Sequence, residues 1–357
     1  MTAPLRWAAR QGRWLLVAGL LGGVGLPGIA ATMKPWLPEL VGALLFLAAL
    51  RIGPRAAFGA LGDLPRTLGL APIYQLAMPL IVVAVMVAGG WQAAPLATAL
   101  VLMLSAPAIS GSPNLTVMTG NDPTPALRLL ILGMLILPLT VLPVLWLLPQ
   151  LGTLADVAAA SARLLTVIAL SGGAGFALHA WLRPASQTIQ TIDGISAIVM
   201  AVIVVGLMSA VGPAIAATPA AFAGWLATAF AANFGLQIVT AAVLARSPLV
   251  TARVPFAIIA GNRNIALFLA ALPSHVTDPI LLFIGCYQIP MYLTPFLLRP
   301  AAPVSRPNPR TCRMTRFILT EASFQSAVEA GRRIQAAAYG SGEPARMMER
   351  FLASRKG

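Results

Sequence analysis

The chain has 357 residues, 58% of them hydrophobic and only 10% charged. Ordinary soluble domains carry about 25% charged residues, so a soluble enzyme is excluded and most of the chain belongs in lipid. The net charge of +14 would fit a nucleic-acid binder if it lay on polar surfaces, but it sits in short gaps between apolar runs.

Residues 1–13 form a short basic N-terminus, expected in the cytoplasm. Ten apolar runs come next, each near the roughly 18 or more residues that cross a hydrocarbon core. They lie at 14–33, 36–53, 67–89, 95–121, 125–149, 162–182, 194–215, 219–245, 253–272 and 279–299. The first run lacks a persuasive cleavage site and reads as a true span, not a removed signal. Arg6, Arg10, Arg13, Arg51, Arg55, Arg66, Arg128, Arg183, Arg246 and Arg253 fall on one side of the resulting topology, and only Lys34 and Arg163 on the other. Cytoplasmic loops are enriched in Lys and Arg, so both termini are expected in the cytoplasm, of a bacterial inner membrane. Residues 300–357 form a Pro- and Arg-rich cytoplasmic tail with weak helical patterns at 321–339 and 344–354. From Arg299 onward it has 11 basic and 4 acidic residues; it is either solvated near anionic headgroups or a docking segment.

Two patterns recur about 150 residues apart. Gly133, Pro138 and Pro143 match Gly285, Pro290 and Pro295, and Pro107 and Asn114 match Pro255 and Asn262. Repeats fix architecture before any motif does: 14–149 and 162–299 become two five-helix halves. Five is odd, so the second half enters the membrane in the opposite sense. The expected fold is an all-α polytopic membrane protein of ten transmembrane helices in two inverted repeats, with the fourth and ninth helices broken and crossing.

Those breaks are polar. Ser110-Gly111-Ser112-Pro113-Asn114 interrupts the fourth span, where Pro113 removes a donor and the hydroxyls compete for backbone groups. Gly261-Asn262-Arg263-Asn264 interrupts the ninth. Unwound backbone at membrane depth survives only inside protein or beside a wet cavity, and paired interrupted helices in two halves point to a secondary transporter's binding site. Polar glue between helices is the alternative. Glu39, Asp63, Asp122, Asp156, Asp193 and Asp278 all fall at ends or loops of the predicted spans, so Arg263 has no deep carboxylate. A charge there costs at least ~2.5–3.5 kcal/mol; its partner is backbone carbonyls, an infolded loop carboxylate or an anionic substrate. The candidate substrate-binding residues are Ser110, Ser112, Asn114, Asn262, Arg263, Asn264, Gln75 and Gln288, with Asn233 and Gln237 facing the same region.

These residues resemble the bile acid/sodium symporter family across 14–299. Ser110 to Asn114 with Gly120-Asn121 is similar to its first crossing helix. Gly261-Asn262-Arg263-Asn264 is similar to its second, and Tyr74-Gln75 with Met78-Pro79 to its third helix. The resemblance implies a mobile core (67–149 and 219–299) working against a panel (14–53 and 162–215). It also implies a lost sodium ligand: the family's Glu falls at Ile259 and its Gln at Arg263, while a Ser of the following helix falls near Arg128. Arg263 then stands where sodium would, and transport becomes sodium-independent, either facilitated or proton-linked. The expected function is secondary transport of a small organic anion by alternating access, with no cofactor, no metal, no nucleic acid, and an unnamed partner for the tail. A membrane-embedded enzyme is the alternative, but the spans lack paired carboxylates and the known hydrolase signatures. So is a transporter-derived sensor without flux. Cys286 and Cys312, His179 and His275 are too few for a disulfide framework or a metal cluster.

Overall fold

The computed structural model describes residues 2–59 and 69–297. The tail, its two weak helical patterns, Arg66 and Asp63 lie outside the described residues. The protein is an all-α membrane protein whose described residues form helices and one isolated antiparallel bridge.

Among the described residues, seven helices are long and apolar enough to cross a membrane: Pro27–Ile52, Leu70–Ala88, Thr124–Trp146, Leu154–Leu182, Ser186–Ala217, Pro219–Leu244 and Ser274–Pro295. Three shorter apolar helices, Trp14–Gly25, Pro95–Ser105 and Val250–Gly261, fall in the first, fourth and ninth expected spans. They are short because the chain interrupts them. Leu26 leaves the helical region before Pro27, as the residue ahead of a proline tends to. The first two expected spans are therefore divided differently: a helix over Gly12–Gly25, then one from Pro27 that turns through a 3-10 segment at Lys34–Trp36 into Leu37–Ile52.

The segments that position the centre of the molecule are α1 (Leu37–Ile52), α2 (Pro95–Ser105), α3 (Ser112–Met118), α4 (Thr124–Trp146), α5 (Leu154–Leu182), α6 (Ser186–Leu207), α7 (Pro219–Leu244), α8 (Arg253–Gly261) and α9 (Leu281–Leu297). Helices α5 and α6 begin eight residues before the expected 162 and 194. A capping box between Thr153 and Asp156 starts α5, satisfying two orphan N–H groups at its first turn. The earlier start of α6 carries Asp193 inside the helix, where it pairs with Arg51 at 2.5 Å. The expectation that every acidic residue lies at an end or in a loop is corrected there.

Six of the seven tryptophans are at least 60% exposed, and all six stand at helix ends: Trp7, Trp14 and Trp181, then Trp36, Trp91 and Trp146. Tryptophan rings collect at both membrane–water interfaces, so these two trios mark two faces of the protein, the Trp14 face and the Trp36 face.

The apolar core is uneven between those faces. The largest cluster spans Leu37 and Val41 of α1, Leu207 and Val211, and Ile265, Phe268, Phe283 and Tyr287, and it lies in the half toward Trp36. In the Trp14 half there are two separate clusters. One joins Leu47, Leu50 and Ile192 of α1 and α6. The other joins Tyr74, Leu127, Leu130, Leu244, Phe256 and Ile259. Helices α1, α5 and α6 pack together as one group, and α7, α8 and α9 as another.

Candidate functional site

The two interrupted helices meet. Helix α2 ends at Ser105, and Ala106 is extended at φ −63, ψ 148 because Pro107 comes after it. The chain stays open through Gly111 and resumes as α3. The expected break at Ser110–Asn114 is therefore displaced: Pro107 ends the first half-helix, and Pro113, in the first turn of α3, starts the second. A proline there loses nothing, since that N–H has no intrahelical partner. Helix α8 ends at Gly261, Asn262 to Asn264 leave the helical path, and a 3-10 segment continues over Ile265–Ala270.

The two open stretches pair as a single antiparallel bridge between Ala108 and Arg263. Ile109 N–H donates to Asn262 C=O at 3.1 Å, and Asn264 N–H donates to Pro107 C=O at 2.8 Å. Each break thus satisfies backbone groups that the other exposes, which is what membrane depth demands.

Arg263 sits at this crossing, 2% exposed. Its Nε donates to Ala260 C=O at 3.1 Å, Nη1 to Ala106 C=O at 3.2 Å and Nη2 to Tyr74 C=O at 3.5 Å. Its guanidinium carbon lies 4.8 Å from the centre of the Tyr74 ring. Ala106 caps the C-terminus of α2, and Ala260 lies in the last turn of α8. The last carbonyls of a helix lack intrahelical donors, and the negative end of the dipole favours a cation; the guanidinium meets two such ends together. The Tyr74 carbonyl is open to it for a related reason. Tyr74 lies in a π-turn over Ile73–Ala77, where Met78 N–H bonds Ile73 C=O. In π spacing the donor for Tyr74 C=O would come from Pro79, which has none. Of the three partners open to Arg263 on sequence, backbone carbonyls are the ones it has, and among the described residues it forms no ion pair.

A second set of bonds holds the other side of the crossing. Asn262 Nδ2 donates to Ile258 C=O at 2.7 Å, and its Oδ1 accepts from Asn233 Nδ2 and Thr294 Oγ1, each at 3.2 Å. Asn233 Nδ2 also donates to Gly261 C=O at 2.5 Å, and Gln237 Nε2 donates to Asn233 Oδ1 at 2.6 Å. Gly261 permits this: a Cβ there would meet Asn233 C=O and the Gln237 side chain. Tyr287 OH donates to Gly261 C=O and accepts Arg263 N–H at 3.1 Å. Tyr287 and Thr294 are absent from the residues expected on sequence; their signal is weak, one hydroxyl each in an apolar run.

Beside the crossing lies a narrow cleft. One wall is Leu44 of α1 with Met200, Ile203, Val204 and Leu207 of α6; the other includes Ser110, Arg263, Asn264, Gln288 and Met291. Four of the eight expected residues, Ser110, Arg263, Asn264 and Gln288, are brought together there. Gln288 holds its amide by donating to Ile284 C=O at 3.2 Å. The other four are elsewhere. Asn262 is fully enclosed in the network around Asn233 and Thr294. Ser112 is buried in α3, whereas Asn114, on the same helix, is exposed. Gln75 donates to Gly133 C=O at 3.0 Å and lines a smaller space behind the crossing, with Tyr74, Ile259 and Arg263. Compared with protein-family models and with curated proteins, the chain matches none.

Proposed function

We propose that the chain is a secondary transporter of a small organic anion and works by alternating access. The observation that carries this reading is the crossing of two half-helix breaks, stitched at Ala108 and Arg263, beside a cleft between two helix groups. Interrupted helices meeting near the membrane midplane are the arrangement in which transporters build their sites. Counting the interrupted helices as spans makes ten, in two inverted halves, with the moving core and panel expected from the family resemblance. An even number of spans puts both termini on one side, and the arginine-rich loops on that side argue for the cytoplasm.

The anionic preference follows from charge. Arg263 lines the cleft and is balanced by carbonyl dipoles, not by a carboxylate, so the site keeps a net positive charge that an anion entering the cleft relieves. Ser110, Asn264 and Gln288 supply neutral hydrogen-bonding groups, and Leu44, Met200, Ile203 and Met291 an apolar wall. Carrier chemistry of this kind uses no cofactor and no catalytic group, so the reading is of a carrier and not an enzyme.

Sodium independence follows from the same residue. Carbonyl oxygens converging from three segments are what a bare alkali cation would require, and here the guanidinium holds them. Proteoliposomes loaded through a panel of carboxylates, with sodium or choline as the external cation, test the proposal. Uptake of at least one carboxylate, equal in both media, is the expected result. Uptake that requires sodium and persists in Arg263→Ala would sink the sodium argument, and no flux of any anion would sink the transporter reading.

A further inference from the structure

The two faces of the cleft differ. Toward Trp36 the helix groups share one apolar cluster, α1 packs on the 3-10 segment Ile265–Ala270, and α6 packs on α9. The approach is close: a Cβ on Gly285 of α9 would meet Leu207 C=O and the Val211 side chain. At the rim of this closed side, Lys34 Nζ reaches Asp278 Oδ1 at 2.9 Å. Lys34 enters α1, and Asp278 enters α9; the pair therefore ties one group to the other. Toward Trp14 the groups keep separate clusters, with Ile52 the residue of α1 that touches the second of them. Asn114 is exposed on that side of the crossing, and an exposed amide at this depth is tolerated beside water, not lipid.

We propose that Lys34 and Asp278 form a latch that holds the cleft closed on the Trp36 face, and that the structure is the state open toward the Trp14 face. This latch rests on the alternating-access reading and adds the residues that set its conformational balance. The closure is mainly apolar. An exposed ion pair contributes at most about a fivefold bias between closed and open forms, which suits a latch that must release in each cycle. Only a difference in contacts between two states can shift their balance, and a pair that bridges both groups in one state supplies that difference.

The test uses the full chain in lipid nanodiscs, where both faces meet solvent, with Cys286→Ala and Cys312→Ala as background. Two reporters are labelled by a bulky polar maleimide: Val211→Cys, beneath Gly285 on the closed side, and Asn114→Cys on the open side. Lys34→Asp or Asp278→Lys alone is expected to speed labelling at 211 by up to about fivefold and to slow it at 114. The double swap, Lys34→Asp with Asp278→Lys, is expected to restore both rates. Single swaps that leave 211 unchanged, or that speed both reporters together as local loosening would, overturn the proposal. A double swap that fails to restore the rates overturns it too. Because labelling needs no substrate, absence of flux would count against the transport reading alone.

Discussion

Arg263 and Arg51 are two arginines held inside one protein, and their charges are met in different ways. Arg51, in the last turn of α1, faces the Asp193 carboxylate, with side chains 18% and 13% exposed. The pair is electrically complete. Arg263 has three carbonyl oxygens and an aromatic ring, which satisfy its donors but leave its charge. Arg51 is thereby closed by a carboxylate, whereas Arg263, held by dipoles alone, is the charge on which the proposed anion site rests.

The largest effect that would sharpen this contrast comes from Arg263→Met. It leaves three carbonyls without donors, at about 1–3 kcal/mol for each buried group, so thermal unfolding in detergent should show a loss of several kcal/mol. Arg263→Lys should recover only part, because one ammonium cannot span acceptors on three segments. Equal stability of the methionine variant would mean that the carbonyls find other partners and that the brace is dispensable.

Asp193→Leu comes next. A fully buried pair that loses one partner costs about 3–5 kcal/mol, and partial exposure here lowers the expectation to about 2. The double variant Arg51→Met/Asp193→Leu should regain most of that loss, since an apolar pair often replaces a buried ion pair without cost. Anion uptake by the double variant should match the parent; an uptake defect as deep as that of an Arg263 variant would erase the distinction between the two arginines.

Tyr287→Phe removes one hydroxyl that serves Gly261 C=O and Arg263 N–H, and a stability loss of about 1–2 kcal/mol is expected. A backbone effect of comparable size, about 1–3 kcal/mol, is expected of Gly53→Ala. Gly53 has φ +73 and a Cβ there would meet the His179 ring, whose Nδ1 lies 2.7 Å from Leu50 C=O. Uptake should be unaffected, because the strain falls in the Arg51 region and not at the crossing.

The breaks are legible in the sequence because they depend on local chemistry. Polar runs inside apolar spans must open somewhere, and Asn262 to Asn264 open where expected. The fourth span differs because two prolines compete to place its break. By its position in the polar run Pro113 reads as the breaker, yet a proline is welcome in the first turn of a helix, and Pro107 acts through the residue before it. Asp193 escapes a hydropathy reading for a similar reason: a polar stretch, Ser186 to Asp193, hides a helix start that apolar run length does not register. Neither Tyr287 nor Thr294 can be singled out, because a hydroxyl in an apolar run has no local signature of its partner 26 or 32 residues away.

Composition and apolar run length alone determined that this chain lives in a membrane, since no soluble fold buries so much apolar surface with so few charges. Sequence also located two polar interruptions and an arginine without a carboxylate, because those depend on neighbours along the chain. Tertiary structure decided what they amount to. Only when α2 and α8 cross do Ala106, Ala260 and Tyr74 converge on one guanidinium, and only then do Ser110, Asn264 and Gln288 share a wall. Hydrogen bonds and dipoles act over a few ångströms of space, and that proximity is set by packing between segments far apart in sequence.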